Sequence, residues 1–124
     1  MKKTWIGIIV AAVVVAGGVW LLQRPSSGPG KYDQFATCIK ESGAIFYGAF
    51  WCPHCQAQKA LFGQSAQLLP YVECSTPDGK SQTQQCTDAG VTGYPTWVFK
   101  NGTKQEGSLT FDQLAQATSC PLPQ

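Results

Sequence analysis

Apolar residues along this chain fall into one long block near the N-terminus and a series of short runs after it. Trp5–Leu22 carries no charged residue. At about 1.5 Å per residue it reaches roughly 27 Å as a helix, close to the hydrocarbon thickness of a bilayer. A segment apolar on every face and bounded by charge reads as a membrane span rather than a core helix. Lys2 and Lys3 precede it and Arg24 follows, so the positive-inside bias puts the N-terminus in the cytoplasm and the remainder outside the cell membrane. The rival reading is a cleavable signal peptide. The run is long for one, however, and no small-x-small site follows before Gln23 and Arg24. The expected organisation is an anchor over 1–23, a Pro/Gly/Ser tether over 24–30 and one exported domain over 31–124.

Within that domain the runs are short and their spacing alternates. Phe35, Cys38 and Ile39 recur at helical intervals in Tyr32–Ser42, and Gly43 stands where a helix commonly stops. Ala44–Phe50 is almost uninterruptedly apolar, the pattern of a strand buried on both faces. Trp51–Phe62 reads as helical after an opening turn, with Gly63 to stop or bend it, and Leu69–Cys74 suits a second strand. Ser81-Gln-Thr-Gln and Thr110-Phe-Asp-Gln both fit a capping box, which predicts one helix from Ser81 to Gly90 and another with Phe111, Leu114, Ala115 and Thr118 on one face. Thr96–Lys100 and Thr103–Glu106 flank Asn101-Gly102, a tight-hairpin signal. Trp97 and Phe99 read as core and surface strand residues rather than ligand contacts. The order helix, strand, helix, strand, helix, strand, strand, helix describes an α/β domain, a small mixed sheet flanked by helices.

Composition changes this picture in two places. The formal charge of +2 comes from the N-terminal segment: outside Lys2, Lys3 and Arg24, six lysines face seven acidic residues. The domain is nearly neutral and lacks the basic face that nucleic acid requires. The other place is the six cysteines, an even number that allows full pairing in an exported domain but permits fifteen connectivities.

Trp51-Cys-Pro-His-Cys55 lies where the apolar strand gives way to a helix. That puts the Cys52 sulfur at a helix N-terminus and Cys55 one turn inside. The unpaired N–H groups and positive dipole end of a helix favour a thiolate, the nucleophile in disulfide exchange, so Cys52 is the expected attacker and Cys55 the resolving thiol. Pro53 suits the first helical turn, and a protonated His54 adds positive charge beside Cys52. Both favour the reduced pair, which makes the disulfide an oxidising one. The competing readings of the motif are a plain structural disulfide or half of a zinc site. Zinc would want a second close ligand pair, and Cys74 and Cys86 are neither closely spaced nor joined by another histidine. No metal and no cofactor is expected. Tyr94-Pro95-Thr96, just before the third strand, is either a strand-entry turn or a cis peptide turning backbone toward the active site.

Taken together, the buried strand ending in Trp51-Cys-Pro-His-Cys55, Pro95 ahead of an Asn-Gly hairpin and the last helix resemble the thioredoxin superfamily over nearly all of 31–119. The resemblance implies that Pro95 is cis and lies against the active pair, with Trp51, Tyr94 and Pro95 bordering the substrate groove. Phe46-Tyr-Gly-Ala-Phe-Trp-Cys-Pro-His-Cys55, Gln58-Lys-Ala-Leu-Phe-Gly63, Tyr71-Val-Glu-Cys74 and Gly93-Tyr-Pro-Thr-Trp97 are similar more narrowly to thioredoxin-like domains fused to, or partnering, bacterial and plant vitamin K epoxide reductase homologues. That likeness implies a redox pair Cys52–Cys55, a second disulfide Cys74–Cys86, exported protein thiols as substrates, and reoxidation by the membrane reductase homologue. Cys38 and Cys120, on the first and last helices, would then make a third bond, unless one of these pairs relays electrons to the active site. Two features depart from the resemblance. Many thioredoxins carry a buried acid six positions before the first active cysteine; here that position is Phe46, which leaves the proton acceptor unassigned. The fused relatives also bring several membrane helices, whereas this chain has one candidate span, so a quinone-linked partner must be a separate protein. The expected activity is disulfide donation, with an anchored thiol reductase or isomerase as the alternative. A non-enzymatic copper-binding module using Cys52, His54 and Cys55 is the alternative from another class.

Overall fold

The computed structural model describes residues 28–124. The expected span Trp5–Leu22 and most of the tether lie outside the described residues. Among those that are described, no helix is long and apolar enough to cross a membrane.

Helix α1 (Asp33–Glu41) leads into strand β1 (Ile45–Gly48), helix α2 (Pro53–Phe62), a 3-10 helix (Gly63–Leu68) and strand β2 (Tyr71–Glu73). Helix α3 (Gln84–Asp88), strands β3 (Thr96–Val98) and β4 (Lys104–Glu106) and helix α4 (Phe111–Thr118) complete the chain. The sheet order is β2-β1-β3-β4. β1 runs parallel to β2, with Gly48 opposite Glu73, and antiparallel to β3, with Phe46 opposite Trp97. β3 and β4 form the antiparallel hairpin that Asn101-Gly102 signals, closed by Gly102 N–H to the Phe99 carbonyl at 2.8 Å. Gly102 takes a positive φ of 84° there, a conformation glycine adopts without a Cβ clash. The mixed sheet flanked by helices is the expected one.

Two clusters of buried side chains form the core. The larger gathers Phe35, Ala36 and Ile39 of α1, Phe62 of α2 and Leu114 of α4 around Phe46 and Trp97. Phe46 is fully buried, stacked on Trp97 at 4.7 Å between ring centres and meeting the edge of Tyr71 at 5.1 Å. The smaller cluster joins Tyr47 to Cys74, Cys86 and Val91. Gln58 of α2 is buried without charge: its Oε1 accepts from the Leu109 N–H at 2.6 Å and from Trp97 Nε1 at 3.3 Å, and its Nε2 donates to the Leu109 carbonyl. One side chain thus ties α2 to β3 and to the entry of α4. Every such group would otherwise be an unmatched polar atom in the core.

The structure departs from the sequence pattern in four places. Ser81 does not cap a helix. Its N–H and carbonyl pair with Thr76, and Ser75 bridges Gln82, which holds this stretch extended so that α3 begins only after Thr83. The capping box at Thr110 does form, with reciprocal bonds between Thr110 and Gln113. Phe50 is half exposed rather than part of the buried strand, because the chain turns at Ala49 with Cys52 N–H bonding the Ala49 carbonyl. Phe99 is buried, not on the surface, since it lies two residues from Trp97 and so shares its face. Beyond Gly63 the chain continues as a 3-10 helix that apolar periodicity does not signal.

Cys38 of α1 is bonded to Cys120 just past α4, across a sequence separation of 82. In the chain-entropy picture a loop of this length restricts the unfolded chain by about 4 kcal/mol. Replacing both Cys38 and Cys120 by Ser should lower the unfolding free energy by about that amount in denaturant titrations, with the slope of the transition reporting any change in the unfolded ensemble.

Candidate active site

The site is built where β1 ends. After Gly48 the chain turns once and enters α2 with Cys52 as its N-cap and Pro53 as the first helical residue. Proline fits there because the first N–H of a helix has no partner to lose. Cys52 and Cys55 are the unpaired cysteines among the described residues, and both are buried. The Cys52 sulfur accepts a hydrogen bond from the Cys55 N–H at 3.3 Å and lies 3.7 Å from the Tyr94 carbonyl oxygen, toward which its thiol donates. The Tyr94-Pro95 bond is cis. Sequence positions 52, 55 and 94–95, far apart in the chain, therefore meet at one point.

Aromatic side chains form the rim. Trp51 is 49% and Phe50 50% exposed, large apolar surfaces held at the mouth of the site. Trp51 meets Tyr94 edge to face at 5.8 Å, and its Nε1 donates to Ser75 Oγ at 2.9 Å. The Tyr94 hydroxyl donates to Gln82 Oε1. Ser75 and Gln82 belong to the loop closed by the fully buried Cys74–Cys86 disulfide, so that bond fixes the two residues against which the rim rests. His54 is exposed, and its carbonyl accepts from Ser108 Oγ at 3.1 Å. Cys38–Cys120 belongs to the α1–α4 side of the fold. No group of three or more His, Cys, Asp or Glu suited to hold a metal ion is present among the described residues.

Below the sulfur pair lies a polar group that sequence reasoning did not single out. A Cβ placed on Gly48 would come within 2.8 Å of the Tyr71 ring and 3.0 Å of the Cys55 sulfur. Only glycine lets both occupy that space. The Tyr71 hydroxyl donates to Glu73 Oε2 at 2.7 Å, while Glu73 Oε1 accepts from the N–H groups of Phe50 and Ser75. Lys59 Nζ sits 3.3 Å from the centre of the Tyr71 ring, a cation over an aromatic face. The signal available in the sequence was Glu73 itself, an acid inside an otherwise apolar strand two residues from Tyr71 and hence on the same face.

Burial pushes the Cys55 thiol up to about 12, reinforced by its hydrogen bond with Cys52. Burial also raises the Tyr71 hydroxyl, with the Glu73 carboxylate adding to it, and raises the Tyr94 hydroxyl by the same two causes in the same order.

This fold and this pair of thiols define a class, and comparison with known proteins agrees. The chain belongs to the thioredoxin family, whose model matches residues 30–119. It is 42% identical over 91 residues to the thiol-disulfide oxidoreductase LTO1 of Arabidopsis thaliana, covering 69% of this chain and 24% of that protein. It is 32% identical over 92 residues to the human protein disulfide-isomerase A2, covering 70% of this chain and 16% of that protein. The chain thus spans about a quarter or less of the length of the curated relatives it matches.

The raised Cys55 thiol sets an alkaline limit on stability. Between the ordinary thiol value of 9.0 and about 12 the unfolded chain loses this proton while the folded chain keeps it, so stability present below that window is lost as pH rises through it. The chain reduced at Cys52 and Cys55 should therefore lose stability above pH 9.0 more steeply than the chain oxidised there. Thermal melts across this range in both redox states check the difference.

Proposed function

We propose that this chain is a membrane-anchored thiol-disulfide oxidoreductase that donates the Cys52–Cys55 disulfide to exported proteins. The observation that carries the reading is the placement of two unpaired sulfurs at one helix N-terminus beside a cis-proline loop. Cys52 receives an N–H and lies beside the Tyr94 carbonyl below the aromatic rim, whereas Cys55 is held protonated by burial. Exchange through such a pair has a defined order. A substrate thiolate attacks the Cys52 sulfur of the oxidised pair, a mixed disulfide forms, and the Cys52–Cys55 bond breaks with Cys55 leaving and taking up a proton. The substrate's second thiolate then attacks its own sulfur in the mixed disulfide and releases Cys52. The substrate loses two electrons and the pair gains them.

Donation rather than reduction is supported by Pro53 and His54 between the cysteines, which favour the dithiol form. Trp51, Tyr94 and Pro95 would border the groove that receives the substrate chain. The reduced pair then needs an electron acceptor. A separate membrane homologue of vitamin K epoxide reductase fits the sequence phrases shared with domains that partner such enzymes, and an anchor at Trp5–Leu22 would hold the domain beside it on the extracytoplasmic side. A reductase or isomerase is the second reading, favoured by the likeness to a relative named a protein disulfide-isomerase.

The test is direct. The oxidised full chain, mixed with a reduced unfolded protein carrying two thiols, should convert it to its disulfide form in stoichiometric amount. Cys52→Ser and Cys55→Ser, neither of which can hold the active disulfide, should each abolish the transfer and leave the substrate reduced on non-reducing gels. An oxidised chain that leaves the substrate thiols untouched, while its reduced form cleaves substrate disulfides, would move the assignment to the second reading.

A further inference from the structure

Exchange at Cys52 and Cys55 moves a proton on and off the buried Cys55 sulfur in every cycle, and buried sulfur has no direct access to water for it. The groups that face Cys55 are few. Cys52 lies one turn away and Lys59 one turn further along α2, Tyr71 comes from β2 with Glu73 bonded to its hydroxyl, and Tyr94 comes from the loop before β3. Cys52 is the sulfur that reacts, and Lys59 Nζ is placed over the face of the Tyr71 ring. The Tyr94 hydroxyl is turned away into its bond with Gln82. Tyr71 and Glu73 remain, and they are already joined.

We propose that Tyr71 and Glu73 form a proton relay that passes the Cys55 proton to and from solvent during disulfide exchange. Three observations carry this. The Cys55 sulfur and the Tyr71 ring edge and hydroxyl lie within 3.0, 2.8 and 3.4 Å of the same point beside Gly48. The hydroxyl already donates to Glu73 Oε2 at 2.7 Å, so a proton accepted by the tyrosine oxygen can be matched by one released to the carboxylate. Glu73 is only partly buried, so its carboxyl can exchange with water. The carboxylate is also held in place from its other oxygen by the N–H groups of Phe50 and Ser75 at 3.2 and 2.9 Å. Lys59 over the Tyr71 ring favours negative charge on the tyrosine oxygen as the protons move.

The step balances in both directions. When Cys55 attacks the Cys52 sulfur of a mixed disulfide, its S–H proton goes to the Tyr71 oxygen as the Tyr71 proton goes to Glu73, which passes one to solvent. When Cys55 is the leaving sulfur, the same protons run back. Tyr71 and Glu73 serve here through Cys55 and form no bond to substrate.

The inference rests on the reading of Cys52–Cys55 as the exchanging pair, and the experiment separates the two. The full chain, reduced at Cys52 and Cys55 with both other disulfides intact, is mixed with Ellman's reagent. The first thionitrobenzoate marks loading of Cys52, and the second marks attack by Cys55. In Tyr71→Phe, which keeps the ring against Phe46 and Lys59, and in Glu73→Gln, which keeps acceptors for Phe50 and Ser75, the first release should match the wild type. The second should slow on the order of 100-fold near about pH 6 and recover near about pH 9, where hydroxide takes the proton. Second release at the wild-type rate throughout, slowing equal at both pH values, or slowing in one variant alone would overturn the relay. If Cys55→Ser still gave the second release, the pair itself would be misassigned, whatever the other variants did.

Discussion

The turn from Gly48 to Cys52 couples the central strand of the sheet to the N-terminus of α2, and the rest of the site is arranged around that junction. β1 is paired on both sides, so its end is fixed by β2 and β3 together. Because Gly48 has no side chain, the Cys55 sulfur and Tyr71 can crowd against the strand from one side. A residue with a Cβ at position 48 would force one of them away. The Cys52 and Cys55 sulfurs and the tyrosine beside them thus depend on one backbone approach.

Two kinds of bond keep this junction from drifting. Gln58, one helical turn beyond Cys55, bonds Trp97 and Leu109 and so locks α2 to the sheet and to the α4 entry. The cost of leaving such buried groups unmatched, about 1–3 kcal/mol each, makes the alignment hard to relax. On the other side the Cys74–Cys86 bond closes the loop whose Ser75 and Gln82 hold Trp51 and Tyr94. Ser75 and Gln82 together thereby place the aromatic surface that a substrate chain would meet. The same loop anchors Glu73, since the Ser75 N–H is one of its donors.

Much of this fold was legible in the sequence because its signals are local. The apolar run of β1, the Thr110 capping box, Gly43 after α1 and the Asn101-Gly102 turn each act over a few residues. The Cys-Pro-His-Cys spacing located the candidate pair for the same reason. What escaped depends on partners distant in the chain. Gln58 reads as one more polar helix residue until Leu109, 51 positions later, folds onto it. Glu73 reads as a solvated strand acid until Phe50, 23 positions earlier, donates to it. Ser81 misled because its Ser-x-x-Gln pattern is a local helix signal that the bridge between Ser75 and Gln82 overrides. Phe46 left the proton acceptor unassigned, and the carboxylate bonded to Tyr71 comes instead from the neighbouring strand.

The most direct measurement of the central claim is the equilibrium redox potential of the Cys52–Cys55 pair in the intact chain, with Cys52→Ser confirming which thiols titrate. Disulfide donation requires a value well above that of thioredoxin, about −270 mV, and this is the result expected. A value at or below it would contradict donation and make the chain a reductant.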